Sequence, residues 1–265
     1  MNIRLLSDLH MEFWKDFIPE WFNTPNDVLI LAGDIHVGPA KLQKVLKHFA
    51  SISNHVIYVP GNHEYYGYNL GSYDDLKLPF NVHWLNPGTV RIGDITFIGA
   101  PMWTDFRNNP THELIAAKFI TDFKRIKRFS TTKCKELFLE HTEYIQKEIN
   151  YHKGRKVIIT HFLPGQHCIH PRWRNNGYPT DQLNSYFAPV PRITLDPNVT
   201  HWLFGHTHDS IDVTLGAVRY LANPYGYHNY EINPNFNPEL ILCKDCIHFR
   251  EPIGNATPKC YHPNQ

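Results

Sequence analysis

Five short apolar runs punctuate the chain, at residues 3–6, 28–32, 56–59, 157–160 and 202–204. Each is bounded by polar residues or glycine, the pattern of a strand buried on both faces. Between the second and third, Leu42, Val45, Leu46 and Phe49 recur at helical spacing. Strand, helix, strand in that order predicts an α/β sheet with crossover connections. The stretch "TVRIGDITFIGA" reads as a hairpin turning at Gly93-Asp94. The clearest helix spans about residues 132–152, with Leu137, Tyr144, Ile145 and Ile149 among its apolar positions and Gly154 as its stop. Residues 105–130 and 164–192 look inserted, the second as a long loop rich in Pro, Asn, Arg and aromatics. "INPNFNPE" reads as a linker after about residue 230. The expected organisation is therefore a domain over 1–230 and a small separate module over 240–265.

At 265 residues and 42% apolar content, the chain can build a sizeable core. A net charge of +1 gives no global reason to wrap nucleic acid or sit on an anionic membrane. No apolar run approaches the ~20 residues of a membrane helix. The opening "MNIRLLSDLH" lacks the long apolar region and cleavage site of a signal peptide, so a soluble, cytoplasmic protein is expected. Cys134 and Cys168 stand alone, while Cys243, Cys246 and Cys260 cluster. That odd count argues against a disulfide framework. Eighteen histidines is a high number, and most would be neutral at pH 7 and free to act as ligands.

The informative residues follow the apolar runs. The first run leads into Asp8-Leu9-His10, the second into Gly33-Asp34 and the third into Gly61-Asn62-His63-Glu64. The fourth leads into His161 and the fifth into Gly205-His206-Thr207-His208. Open α/β sheets bind ligands outside the carboxyl ends of their strands, so five segments deliver Asp, His and Asn to one edge. In Asp8-x-His10 and His206-x-His208, an extended backbone would point both side chains to one side. The preceding glycines allow tight turns and close backbone approach. Carboxylates, imidazoles and an amide together suit Mn, Fe, Zn or Ni, whereas an all-oxygen set would suit Mg or Ca.

The ordered blocks D-x-H, G-D, G-N-H-[DE], H and G-H-x-H, spread over residues 8–208, resemble the calcineurin-like metallophosphoesterases. "SDLHMEF", "GNHEYYG" and "MWTDF" look most like small bacterial and bacteriophage members of that family. The resemblance implies a four-layer αββα fold, two facing mixed sheets flanked by helices. It also implies two divalent ions, with manganese favoured. Asp8, His10 and His208 would hold the first, Asn62, His161 and His206 the second, and Asp34 would bridge them. A hydroxide formed from bound water would attack phosphorus in line, and His63 would be the general acid for the departing alkoxide. Glu64 receives no role in this reading.

The implied activity is hydrolysis of phosphate esters, with small phosphodiesters or nucleotides as first choice of substrate. Asp34 is followed by Ile-His-Val-Gly, not by the Asp-Arg pair of Ser/Thr protein phosphatases. A nuclease on DNA or RNA is the alternative, suggested by the basic run Lys124, Arg125, Lys127 and Arg128, which otherwise reads as a solvated helix face. Some relatives of this fold, such as the retromer subunit, are binding scaffolds, but those lack the full ligand set. Arg172, Trp173 and Arg174 lie in the loop after His161, where they could clamp a phosphate and stack on a base. Tyr65 and Tyr66 read as packing residues, and Cys168 as inert. In the tail, Cys243-x2-Cys246 and Cys260-x-His262 have the spacing of a structural zinc site, with His248 a rival fourth ligand. The metal would compensate for a small core.

Overall fold

The structure is a computed structural model and describes residues 1–15 and 17–243. Strands that are apolar on both faces need cover on both, and here two sheets cover each other. In the first, β1 (Asn2–Leu6), β2 (Asn26–Ala32), β3 (Ser53–Val59) and β4 (Val82–Trp84) run parallel. The second holds β5 (Gly88–Ile92), β6 (Ile95–Ala100), β7 (Arg155–Thr160), β8 (Val199–Phe204), β9 (Ile211–Leu215) and β10 (Val218–Ala222). Its order is β5-β6-β7-β8-β10-β9, with antiparallel strands at both edges of a parallel centre. A short ribbon, β11 (Gly226–Tyr227) with β12 (Glu231–Ile232), follows.

Strand alternation sorts the apolar side chains into layers. Ile3, Leu5, Val28, Ile30, Ile57 and Val59 of the first sheet cluster with Phe97, Val157, Ile159 and Leu203 of the second, forming the inner core. The intervening residues face outward and find helices. Leu29, Leu31, Val56 and Tyr58 share a cluster with Leu42, Val45, Leu46 and Phe49 of α1 (Pro39–Ile52). On the other side, Ile98 and Ile158 are joined by Phe138, Ile145 and Ile149 of α4 (Thr131–Tyr151). This is the expected four-layer αββα arrangement.

The inserted segments are more ordered than their composition suggests. Residues 105–130 carry α2 (Pro110–Phe119) and the single turn α3 (Asp122–Arg125). The Asn109 side chain caps α2 by accepting from the Thr111 and His112 N–H groups. Residues 164–192 are not all loop, because α5 (Thr180–Phe187) forms there and packs on α2. The stretch after residue 230 differs from a free linker. Asn233 is buried and its Nδ2 donates to the Pro224 carbonyl, while the Asn237 N–H donates to Asn223 Oδ1. The asparagines thus pin the chain back onto the domain. β13 (Ile241–Cys243) then pairs antiparallel with β1. The remaining residues of the predicted zinc module, Cys246, Cys260 and His262, lie outside the described residues, and nothing is described of the Cys243 side chain. Among the described residues, no helix is long and apolar enough to cross a membrane.

One core contact has a consequence for acid stability. His141 of α4 is buried and its Nδ1 accepts the Met102 N–H at 3.2 Å. Burial pulls its pKa down to about 3, so the folded protein keeps it neutral. The unfolded chain takes up that proton near pH 6.5, its ordinary pKa, so this residue costs stability as pH falls from there toward 3. A His141→Asn variant, which keeps an acceptor, is expected to lose roughly 1.5 kcal/mol less than the wild type between pH 6.5 and 5 in urea unfolding.

Candidate active site

The loops after β1, β2, β3, β7 and β8 meet at one edge of the paired sheets, where the backbone ladder continues past the strand ends. The Asp8 N–H donates to the Gly33 carbonyl (2.9 Å) and the His10 N–H to that of Asp34 (3.0 Å). The Gly205 N–H donates to the His161 carbonyl at 3.1 Å. An isolated bridge between Ser7 and Pro224 joins the two sheets at this edge. The D-x-H and H-x-H pairs converge differently from the extended backbone expected. Asp8, His10, Asp34, His206 and His208 all have positive φ, between 43° and 69°. Asp and His tolerate this left-handed region better than bulkier residues, and such conformations gather at functional sites. Two glycines are required by space. A Cβ on Gly61 would overlap Asp34 Oδ1, and one on Gly33 would overlap His161 Nδ1.

The side chains form two groups around one carboxylate. Asp8, His10 and His208 make the first, with His10 Nε2 and His208 Nε2 3.0 Å apart and His208 Nε2 3.8 Å from Asp8 Oδ1. Asp34, His161 and His206 make the second, and Asn62 Oδ1 lies 3.0 Å from His161 Nε2. Asp34 faces both: its Oδ2 is 3.7 Å from His10 Nε2 and its Oδ1 3.4 Å from His161 Nε2. Burial alone would raise the Asp34 carboxyl, but His161, His63 and His10 outweigh it and hold the pKa well below the usual range. His161 is aimed by its Nδ1, 2.8 Å from the Ala32 carbonyl. His206 Nε2 is buried without a hydrogen-bond partner among the described residues.

His63 sits beside these groups, with its ring 4.4 Å from that of His10 and 4.1 Å from that of Tyr66. Four residues to which the sequence reading gave no role attend the site. Glu12 Oε1 lies 3.3 Å from His10 Nδ1 and 3.4 Å from His63 Nδ1. Burial would raise the Glu12 carboxyl, but these two histidines bring it down to about 2, so it is an anion at working pH. The Tyr227 hydroxyl is 3.2 Å from His63 Nε2. Glu64 is fully buried and accepts the N–H groups of Asp34 (3.1 Å), Ile35 (2.7 Å) and Gly61 (2.8 Å). The fourth, Asp122, is bound by the Asn62 amide. Glu12 and Glu64 stand inside motifs already singled out, so a carboxylate beside a ligand was the available signal. Neither Asp122 nor Tyr227 carries a local one. Glu64→Gln would turn an amide N–H toward a backbone N–H, and urea unfolding is expected to register a loss of about 1–3 kcal/mol.

The three loop residues are divided. Arg172 Nε donates to Asp209 Oδ2 (2.9 Å) and its guanidinium also reaches Glu231 (3.2 Å). Trp173 Nε1 donates to the same Asp209 oxygen at 2.8 Å. Since Asp209 follows His208, both residues stand at the rim. Arg174 turns back, its guanidinium donating to the Ile169 and His167 carbonyls of its own loop.

Mixed nitrogen and oxygen donors at the carboxyl ends of parallel strands, arranged as two groups sharing an aspartate, define a dinuclear metallohydrolase type of site. Residues 1–210 match the family model described as calcineurin-like phosphoesterase. The chain belongs to that family, whose members bind a dinuclear divalent metal centre and hydrolyse phosphoric esters. It is 26% identical over 274 residues to the uncharacterized protein L509 of Acanthamoeba polyphaga mimivirus, covering 89% of this chain and 94% of the relative. Among solved structures it is similar to phosphopantetheinyl hydrolase (PptH) from Mycobacterium tuberculosis. That match has a TM-score of 0.63 and 18% identity, and covers 87% of this chain and 93% of the other.

Proposed function

We propose that this protein is a dimetal phosphodiesterase or nucleotidase acting on small phosphate esters. The observation that carries the reading is Asp34 set between two donor groups, one oxygen toward each, with His63 beside them. Asp8, His10 and His208 would hold one ion, and Asn62, His161 and His206 the other, with Asp34 shared. The residues fit such ions. Among the described residues His206 Nε2 is buried with no hydrogen-bond partner, and the facing Nε2 atoms of His10 and His208 approach as two ligands of one cation do. Bound divalent ions, with manganese the first choice, supply water of lowered pKa and positive charge against the phosphate oxygens.

The chain's own part is proton placement. With Glu12 accepting from the Nδ1–H of both His10 and His63, both rings turn Nε2 toward the site. Burial lowers the affinity of His63 for its proton, but Asp34 and Glu12 outweigh that and raise its pKa. The raised pKa favours the protonated ring, which gives its Nε2 proton to the leaving oxygen. The Tyr227 hydroxyl holds Nε2 until the leaving group replaces it. At the rim, Phe13 packs on Tyr227 and on the exposed Tyr230, which favours an organic group on one side of the phosphate.

A nuclease is the second reading, favoured by one observation. Tyr66 pairs with Ile126 in an isolated bridge, and the Arg125 guanidinium lies 4.8 Å over the Tyr66 ring. The basic run therefore borders the loop that carries His63. A panel of monoesters, diesters, cyclic nucleotides and DNA, assayed on one manganese-loaded preparation, decides between them. Small diesters or nucleotides are expected to turn over fastest. DNA cleavage that exceeds them, and that disappears when Lys124, Arg125, Lys127 and Arg128 are neutralised together, would replace the first reading with the second.

A further inference from the structure

Asp122 opens α3 in the first inserted segment and is buried, 1% exposed. Three donors converge on it from two other parts of the chain. Its Oδ1 accepts from Asn62 Nδ2 at 3.0 Å and from the Tyr66 hydroxyl at 2.7 Å, and its Oδ2 accepts from the Tyr186 hydroxyl. Tyr66 belongs to the loop of His63 and Tyr186 to α5 in the second inserted segment. An amide has a donor end and an acceptor end of nearly equal size, so its neighbours decide which way it faces. A cation requires the oxygen end. Because Asp122 is an acceptor for Nδ2, Asn62 Oδ1 is left facing His161 Nε2.

We propose that Asp122 is a positioning residue: it fixes the amide orientation of Asn62 and so completes the Asp34–His161–His206 group as a cation site. The proposal rests on the ligand assignment above. It gives the two inserted segments a task, since one carboxylate ties α3 and α5 to a metal ligand. A carboxylate held by two phenols could also be purely structural, and the two roles differ in what removal does. Loss of a structural knot lowers stability alone. Loss of a positioning carboxylate frees the amide to flip and weakens one of two ions, in the 10–100-fold range typical of groups that orient metal ligands.

The test is calorimetric titration with Mn²⁺, together with thermal unfolding, on the full chain. Asp122→Ala is expected to bind one ion as the wild type does and the other 10–100-fold more weakly. Tyr186→Phe, which removes a phenol and leaves the amide contact, is expected to keep both affinities whatever its melting temperature. If Asp122→Ala does not fold, Asp122→Leu combined with Tyr66→Phe and Tyr186→Phe removes the polar knot without orphaning a hydroxyl, and the same weakening is expected. Asn62→Ala serves as the reference. If it weakens one ion while the Asp122 variants bind both within threefold of wild type, the positioning role is overturned and the ligand assignment stands. If Asn62→Ala itself binds both ions normally, the assignment falls and the positioning role with it.

Discussion

Asp34→Asn is expected to lower kcat/KM for phosphoester hydrolysis by roughly four orders of magnitude, the scale on which loss of a central catalytic group acts. Three contacts make the substitution severe although it preserves shape. The carboxylate presents one oxygen toward His10 and the other toward His161, and Oδ1 also accepts the His63 N–H at 2.8 Å. An amide has only one oxygen, so whichever way it turns, an N–H faces one of the two donor groups. The negative charge is lost as well, in a site 2% exposed where neighbouring imidazoles feel it strongly. Elemental analysis of the variant after soaking in Mn²⁺ is expected to find fewer than two ions per chain. Full occupancy together with activity within tenfold of wild type would remove Asp34 from the bridging position.

What was legible in the chain, and what was not, follows from the range of the interactions involved. Buried parallel strands must be apolar on both faces, so β1, β2, β3, β7 and β8 stood out as runs, and the polar residues ending them mapped one edge. The amphipathic face of α1 was equally plain because its four anchors all point to one sheet. In contrast, β9 is largely exposed, and its pairing with β10 could not be separated from the surrounding polar sequence. α5 follows a stretch rich in Pro, Asn and Gly, and its order comes from packing on α2. Asparagines at 233 and 237 resembled turn residues, and they are, but their side chains and N–H groups are spent on Pro224 and Asn223 and fix the return of the chain. Asp122 and Asn62 are separated by 60 residues, and Tyr227 and His63 by 164. Motif spacing records which residues lie near one another in sequence and carries no trace of such a contact.

Replacing His63 by Gln should reduce turnover by an amount that depends on the leaving group. General acid catalysis contributes about 10²–10⁴-fold when the departing oxygen needs a proton and little when it departs as a stable anion. Diesters with an alkoxide leaving group are therefore expected to lose turnover across that range, and bis(p-nitrophenyl) phosphate by less than about tenfold. The pH profile carries a second signature. Asp34 and Glu12 outweigh burial and raise the His63 pKa, which favours the acid form, and activity on alkyl diesters should fall as pH rises through that pKa. His63→Gln is expected to remove this basic limb while leaving metal content unchanged, because the ring's two nitrogens face Glu12 and the Tyr227 hydroxyl. Equal losses on both kinds of substrate would mean that His63 orients the phosphate and does not donate the proton. In that case the Tyr227 hydroxyl, 3.2 Å from the same Nε2, becomes the next group to test as the acid.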